Sequence, residues 1–134
     1  MLFRSRIART AGTALPRILA GTTALIAGSE PDATGAIWKL PMAQRDLDSN
    51  VIQLPAGGRI EPHTGPELDV LLLVLVGTGR LETELEPVEL HAGALAWLPR
   101  RSRRGFTAGP DGLTYLTVHQ RKPTLGLLPS PAPR

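Results

Sequence analysis

The chain has 134 residues with a formal net charge of +3, no cysteine, 14 glycines and 13 prolines. A chain of this length supports one domain with a real core, burying roughly two thirds of the surface it exposes when unfolded. The missing cysteines exclude disulfides, thiolate metal ligands and a cysteine nucleophile, and glycine and proline, spread without a period, mark frequent turns between short elements.

The positive charge belongs to the ends. Residues 1–29 hold Arg4, Arg6, Arg9 and Arg17 and no acid, whereas residues 30–122 hold ten Lys or Arg against twelve acids. A nucleic-acid surface needs clustered cations on a folded face, and the one cluster, Arg100, Arg101, Arg103 and Arg104, reads as a solvated turn. No nucleic-acid partner is expected. Residues 1–35 are rich in Arg, Ala, Thr and Gly, and their apolar stretch from Ile18 to Gly28 is eleven residues long. A bilayer span needs about twenty, so no membrane span is expected. The segment makes a poor signal peptide and a better organelle transit peptide; the preferred reading is a disordered or loosely helical extension, with a cytoplasmic location.

From Ala36 onward, nine short runs follow one another: AIWKL, NVIQL, GRIEP, LDVLLLVLV, GRLETELE, VELH, ALAWL, RGFTA and LTYLTVH. No amphipathic helix stands between them, and this pattern predicts an all-β sandwich or barrel over 36–123, followed by a Pro-rich tail at 124–134. Val70 to Val76 is apolar at both parities, as a strand covered on both faces would be. Val70, Leu72, Val74 and Val76 are expected to fill the core, with Leu71, Leu73 and Leu75 against a second sheet or a partner subunit, so a homodimer through that sheet is expected. Gly77-Thr78-Gly79 reads as a turn, and GRLETELE as a strand with Leu81, Thr83 and Leu85 on its dry face. Ala92-Gly93 reads as a turn, Pro99 as a strand end, and Gly109-Pro110-Asp111-Gly112 as a hairpin turn. The last strand places Leu113, Tyr115, Thr117 and His119 on one side. Trp38 and Trp97 are expected in the core.

On two of these stretches, GGRIEPHTGPELDVLLLVLVGTG and GALAWLPRRSRR, the chain resembles the cupin superfamily, and it looks most like a compact single-domain cupin. The resemblance covers about residues 37–123 and implies an antiparallel β-barrel of the double-stranded β-helix or jelly-roll type. In metal-binding members it further implies two histidines one residue apart, a glutamate seven residues before the strand-ending glycine, and a third histidine five residues after the second motif's proline. Carried onto this sequence, those positions hold His63, Gly65, Val70 and Arg104. A divalent ion wants three or four donors at about 2.0 to 2.3 Å. Glycine and valine side chains offer none, and a permanent cation at Arg104 repels a metal. No tight metal site and no cofactor are therefore expected, unless His63, Glu67, Asp69 and His119 converge in a shifted register.

Six residues are candidates for binding a small molecule: His63, Glu67, Asp69, Arg104, Tyr115 and His119. Each has a structural alternative. His63 fits a strand end as well as a site, Glu67 and Asp69 suit ion pairs with nearby arginines, Asp69 suits a turn cap, His119 faces the lumen in one register and the surface in the other, and Tyr115 needs a hydroxyl partner if buried. No G-x-S-x-G elbow, nucleophilic triad or phosphate-cradling loop is present. Two functional classes stand side by side: a binding or sensing module in which an organic anion meets Arg104, and an enzyme of the isomerase or oxygenase type, working with unusual metal ligands or by acid–base chemistry at His63. A third, an interaction protein with a packed lumen, remains open.

Overall fold

The computed structural model describes residues 15–122. A short helix, α1 (Thr22–Ala27), precedes seven antiparallel strands: β1 (Gly35–Lys39), β2 (Leu47–Leu54), β3 (Arg59–Thr64), β4 (Val70–Glu82), β5 (Val88–His91), β6 (Leu95–Leu98) and β7 (Arg103–Gln120). The outermost parts of the chain, 1–14 at the start of the extension and the tail at 124–134, lie outside the described residues.

Two long strands organise the fold. The first half of β4 pairs with β6 on one side and with the second half of β7 on the other, and that half of β7 pairs with β2, which pairs with β1. The second half of β4 pairs with β5 and with the first half of β7, which in turn pairs with β3. β4 and β7 thus pass together from one layer to the other, and the sheet rolls into a barrel.

The passage explains two turns expected from the sequence that do not form. Gly77-Thr78-Gly79 and Gly109-Pro110-Asp111-Gly112 stay within β4 and β7, as facing irregularities at which the register jumps from Gly77↔Leu113 to Gly79↔Ala108. The glycines serve close approach rather than chain reversal. A Cβ on Gly77, whose φ is +88°, would run into the Gly112 carbonyl, and one on Gly79 would lie 2.5 Å from the Thr107 carbonyl oxygen. Bulges and glycines at such corners let a strand bend sharply while keeping its pairing on either side.

The core fills the space between the layers. Val70, Leu72, Val74 and Leu98 come from one, Leu81, Leu90, Phe106 and Ala108 from the other, and Phe106 stacks on Tyr115 with ring centroids 4.9 Å apart. Leu113 and Tyr115 are buried on the side the alternation assigns to them. Val76 departs from its expected place: a register shift after Val74 turns it outward, to 43% exposure. GRLETELE also stops short of its expectation. The Thr83 hydroxyl accepts the Leu85 N–H at 2.9 Å and donates to the Glu86 carbonyl at 3.1 Å, a local turn that competes with the ladder. The strand ends at Glu82, and Leu85 is exposed.

The outer face of the first layer is apolar and divided. Val51 lies there, opposite Leu116, and is buried, while Gln53 reaches from the same face to the Glu30 and Ala33 carbonyls at 2.7 and 3.3 Å. Residues 17–33 cover this half. Over β4 and β6 the face is open: Leu71 is 47% exposed, Leu95 66% and Trp97 64%. Trp97, expected in the core, stands on the surface because its parity on β6 is opposite to that of buried Leu98.

Candidate functional site

Arg104 separates from the rest of its cluster. Arg100, Arg101 and Arg103 are exposed, as a solvated turn requires, but Arg104 is already in β7 and shares a parity with Phe106 and Ala108, whose side chains are in the core. Its side chain therefore turns inward, and the residue is 5% exposed.

The turn before it is held by a clamp of backbone and side-chain bonds. Gly65 N donates to Ser102 O at 2.9 Å and Arg101 N to Pro66 O at 2.8 Å. Arg100 N donates to Asp69 Oδ1 at 2.9 Å, and Arg101 pairs with Glu67 at 3.3 Å. Arg101 takes a φ of 63°, unusual for a residue with a side chain. The guanidinium lies against this turn: Nε donates to Ser102 O at 3.2 Å, and NH2 donates to Pro99 O at 2.7 Å and to Ser102 Oγ at 2.6 Å. A Cβ on Gly65 would lie 2.6 Å from both Nε and NH1, so the glycine makes the floor of the guanidinium's seat.

Among the described residues no carboxylate lies within 4.0 Å of Arg104. Burial lowers its pKa from the ordinary arginine value, but arginine has ample margin and keeps its charge. NH1 makes no hydrogen bond to the protein, and among the described residues no buried side-chain nitrogen or oxygen lacks a partner; NH1 consequently faces open space. Arg104 also lines a cavity of about 330 Å³ where the ends of β4 and β6, the 83–87 turn and the start of β7 meet. Leu81, Leu85, Val88, Trp97 and Leu98 supply apolar walls, with Ser102 beside Arg104 and Glu84 and Arg103 also in the lining. A buried cation with no carboxylate partner among the described residues, in the lining of a largely apolar cavity, can donate hydrogen bonds to an anion or to a neutral acceptor.

The other five candidates lie elsewhere. His63 is the cross-strand partner of Arg104, yet it is exposed, with Nδ1 3.0 Å from the Glu61 carbonyl; the register shift at Glu61-Pro62 breaks the alternation that would have turned it inward. Glu67 and Asp69 belong to the clamp. Tyr115 is stacked in the core, and burial pushes its phenol pKa upward. His119 sits half-exposed at the end of β7, with Nδ1 2.9 Å from the Gln120 carbonyl, opposite Asp48 and Val70. Asp48 is held below the usual carboxylate range, chiefly by its hydrogen bond from Arg45 and less by nearby His119.

The four positions at which metal-binding members carry ligands do not fit a divalent ion here. Val70 is in the core, His63 is on the surface, and the Arg104 guanidinium occupies the place a side chain at Gly65 would need. Among the described residues no three His, Asp or Glu side chains come together, and His63, Glu67, Asp69 and His119 do not converge.

Sequence reasoning passed over Ser102 and took Trp97 for core. The signal that was available is the spacing Ser102-x-Arg104 directly after the strand-ending Pro99, which puts the hydroxyl and the guanidinium on one side of an extended segment.

No protein-family model matches the chain. Over 98 residues it is 29% identical to the dimethylsulfoniopropionate lyase DddW of Ruegeria pomeroyi, a match covering 68% of this chain and 62% of that protein, so the chain spans less than two thirds of that relative's length. Its fold matches a cupin-2 domain containing protein from Shewanella frigidimarina with a TM-score of 0.59 at 13% identity, over 78% of this chain and 95% of the other. It also matches the cupin domain of Schizosaccharomyces pombe Cnp3 with a TM-score of 0.57 at 13% identity, over 63% of each chain. Identities this low speak for architecture, and the architecture agrees with the strand pairing described above. The chain carries a small domain of the cupin fold, an antiparallel jelly-roll barrel.

Proposed function

We propose that this domain binds a small organic anion through Arg104, without a tight metal site, and acts as a binding or sensing module. The observation that carries the reading is the guanidinium itself: inward, free of any carboxylate partner among the described residues, and part of the lining of a cavity large enough for a small organic acid. A bound carboxylate would supply the charge the buried arginine lacks. Thermal shift with a panel of carboxylates tests this. Stabilisation by one or more of them, lost in both Arg104→Ala and Arg104→Gln, supports the reading; equal shifts in wild type and variants reject it.

The second reading is an enzyme. An isomerase or oxygenase working through metal finds little support in the residues at the four ligand positions, and acid–base work at His63 finds little in its exposed position. A lyase is favoured by one observation, the similarity to DddW. Dimethylsulfoniopropionate joins a carboxylate to a sulfonium, and the cavity offers Arg104 to the first and Glu84 and the Trp97 ring to the second. Following dimethylsulfoniopropionate by proton NMR in the presence of the protein separates the two: consumption favours the lyase, and binding without turnover favours the module.

The open half of the outer face supports a homodimer. Leu71, Leu95 and Trp97 present exposed apolar side chains on neighbouring strands, the kind of surface that a two-fold copy can cover.

A further inference from the structure

The cavity before Arg104 holds a second donor. Ser102 Oγ accepts a hydrogen bond from Arg104 NH2 at 2.6 Å and lines the same cavity. A hydroxyl whose oxygen already accepts still has its own proton to give, and among the described residues no protein group takes it. The adjacent guanidinium polarises that hydroxyl and strengthens it as a donor. The Arg104 guanidinium, whose NH1 hydrogens have no protein acceptor among the described residues, and the Ser102 hydroxyl therefore offer donors from two side chains in contact, both in the lining of one cavity, to the two oxygens of one carboxylate.

We propose that the Arg104 guanidinium and the Ser102 hydroxyl bind a single carboxylate as a pair, and that the pocket selects monocarboxylates with an apolar body. The inference rests on the anion-binding reading above and adds to it a second contact and a ligand class. Beyond the two donors the walls are Leu81, Val88 and Leu98, with Leu85 and Trp97 at the opening. A second carboxylate among these side chains would lose its hydration without gaining a partner. Besides Arg104, the charged residues of the lining are Glu84 and Arg103, both exposed, where water and salt screen them.

Isothermal titration of the full chain with hexanoate and adipate tests both parts, since the two acids share a six-carbon chain and differ in the terminal carboxylate. Wild type is expected to bind hexanoate at least about tenfold more tightly than adipate, and Ser102→Ala to weaken hexanoate on the order of tenfold, the usual worth of a hydrogen bond to a charged group. Ser102→Thr, which keeps the hydroxyl, should retain most of the affinity, and the melting temperature of each variant shows that the fold is intact. If Ser102→Ala binds hexanoate within twofold of wild type, or adipate binds as well as hexanoate, while Arg104→Gln abolishes binding, the paired-donor inference is overturned and the anion-binding reading survives. If Arg104→Gln binds hexanoate as wild type does, or wild type binds neither acid at about 20 mM, both are overturned.

Discussion

Replacing Gly65 with alanine tests the seat of the guanidinium without touching Arg104. The backbone at Gly65 is not in the left-handed region, so alanine adds no strain of its own. Its Cβ, however, would lie 2.6 Å from Nε and NH1, about 1 Å inside ordinary van der Waals contact. The clamp holds Gly65 to Ser102 at 2.9 Å, so the arginine has to give way. Moving it forfeits the bonds to Pro99 O, Ser102 O and Ser102 Oγ. Three such bonds from a charged donor are worth about 4.5 kcal/mol net at the low end of the usual range. Rehydration of the freed guanidinium and the lower chain entropy of unfolded alanine return part of this, leaving a loss of about 2 kcal/mol. In a domain of this size that lowers the melting temperature by roughly 5–10 °C. Urea denaturation measures the loss, and thermal shift with hexanoate reads the binding, which should vanish with it. Gly57→Ala is the control: its φ is +72° with nothing within 4 Å, so it costs about 1 kcal/mol in backbone strain and leaves binding unchanged. A Gly65→Ala protein that melts and binds like wild type would refute the seat and the reasoning built on it.

At the barrel corner, Gly77→Ala combines a φ of +88° with a collision against the Gly112 carbonyl, a backbone atom that cannot swing away; a loss of about 3 kcal/mol or more is expected by urea denaturation. Asp48 has a pKa lowered from 3.8 in the folded protein, so its contribution to stability is present above that value and lost as pH falls through the lowered one. Asp48→Asn should therefore flatten the acid limb of the stability profile below about pH 4 and reduce stability at neutral pH; identical profiles would show that the Arg45 contact contributes nothing. Removing residues 1–35 uncovers Val51 and takes away the carbonyls that Gln53 holds, which should cost about 2–3 kcal/mol in chemical denaturation. Leu71→Glu places a charge in the open apolar face and should convert a dimer to a monomer by light scattering at micromolar concentration; a monomeric wild type would remove the dimer proposal.

The barrel was legible because strand alternation and turn residues are local. The parity of Val70, Leu72 and Val74, the Ala92-Gly93 turn and the stop at Pro99 all follow from a few neighbouring residues. The two glycine-rich segments were misread as chain reversals for the same reason. Gly77-Thr78-Gly79 and Gly109-Pro110-Asp111-Gly112 have turn composition, and only their meeting, from distant parts of the chain, makes them a shared corner. The inward Arg104 followed from its position in the second motif and the parity of β7, but the outward His63 did not, because a register shift in β3 is set by Pro62 and by the partner strand. Trp97 was placed in the core on residue type, while its parity on β6 put it outside. Ser102 carried no signal beyond its spacing to Arg104. Its role depends on where Arg104's guanidinium comes to rest, which no local pattern records.

In the proposed function the anion receptor is Arg104, a buried guanidinium with no carboxylate partner among the described residues. The most direct measurement is NMR of the protein labelled with ¹⁵N at arginine, followed at the guanidinium nitrogens during a hexanoate titration. The account predicts that Arg104 signals shift and saturate while those of exposed Arg100, Arg101 and Arg103 stay nearly still. Shifts confined to the exposed arginines, with Arg104 unmoved, would contradict it.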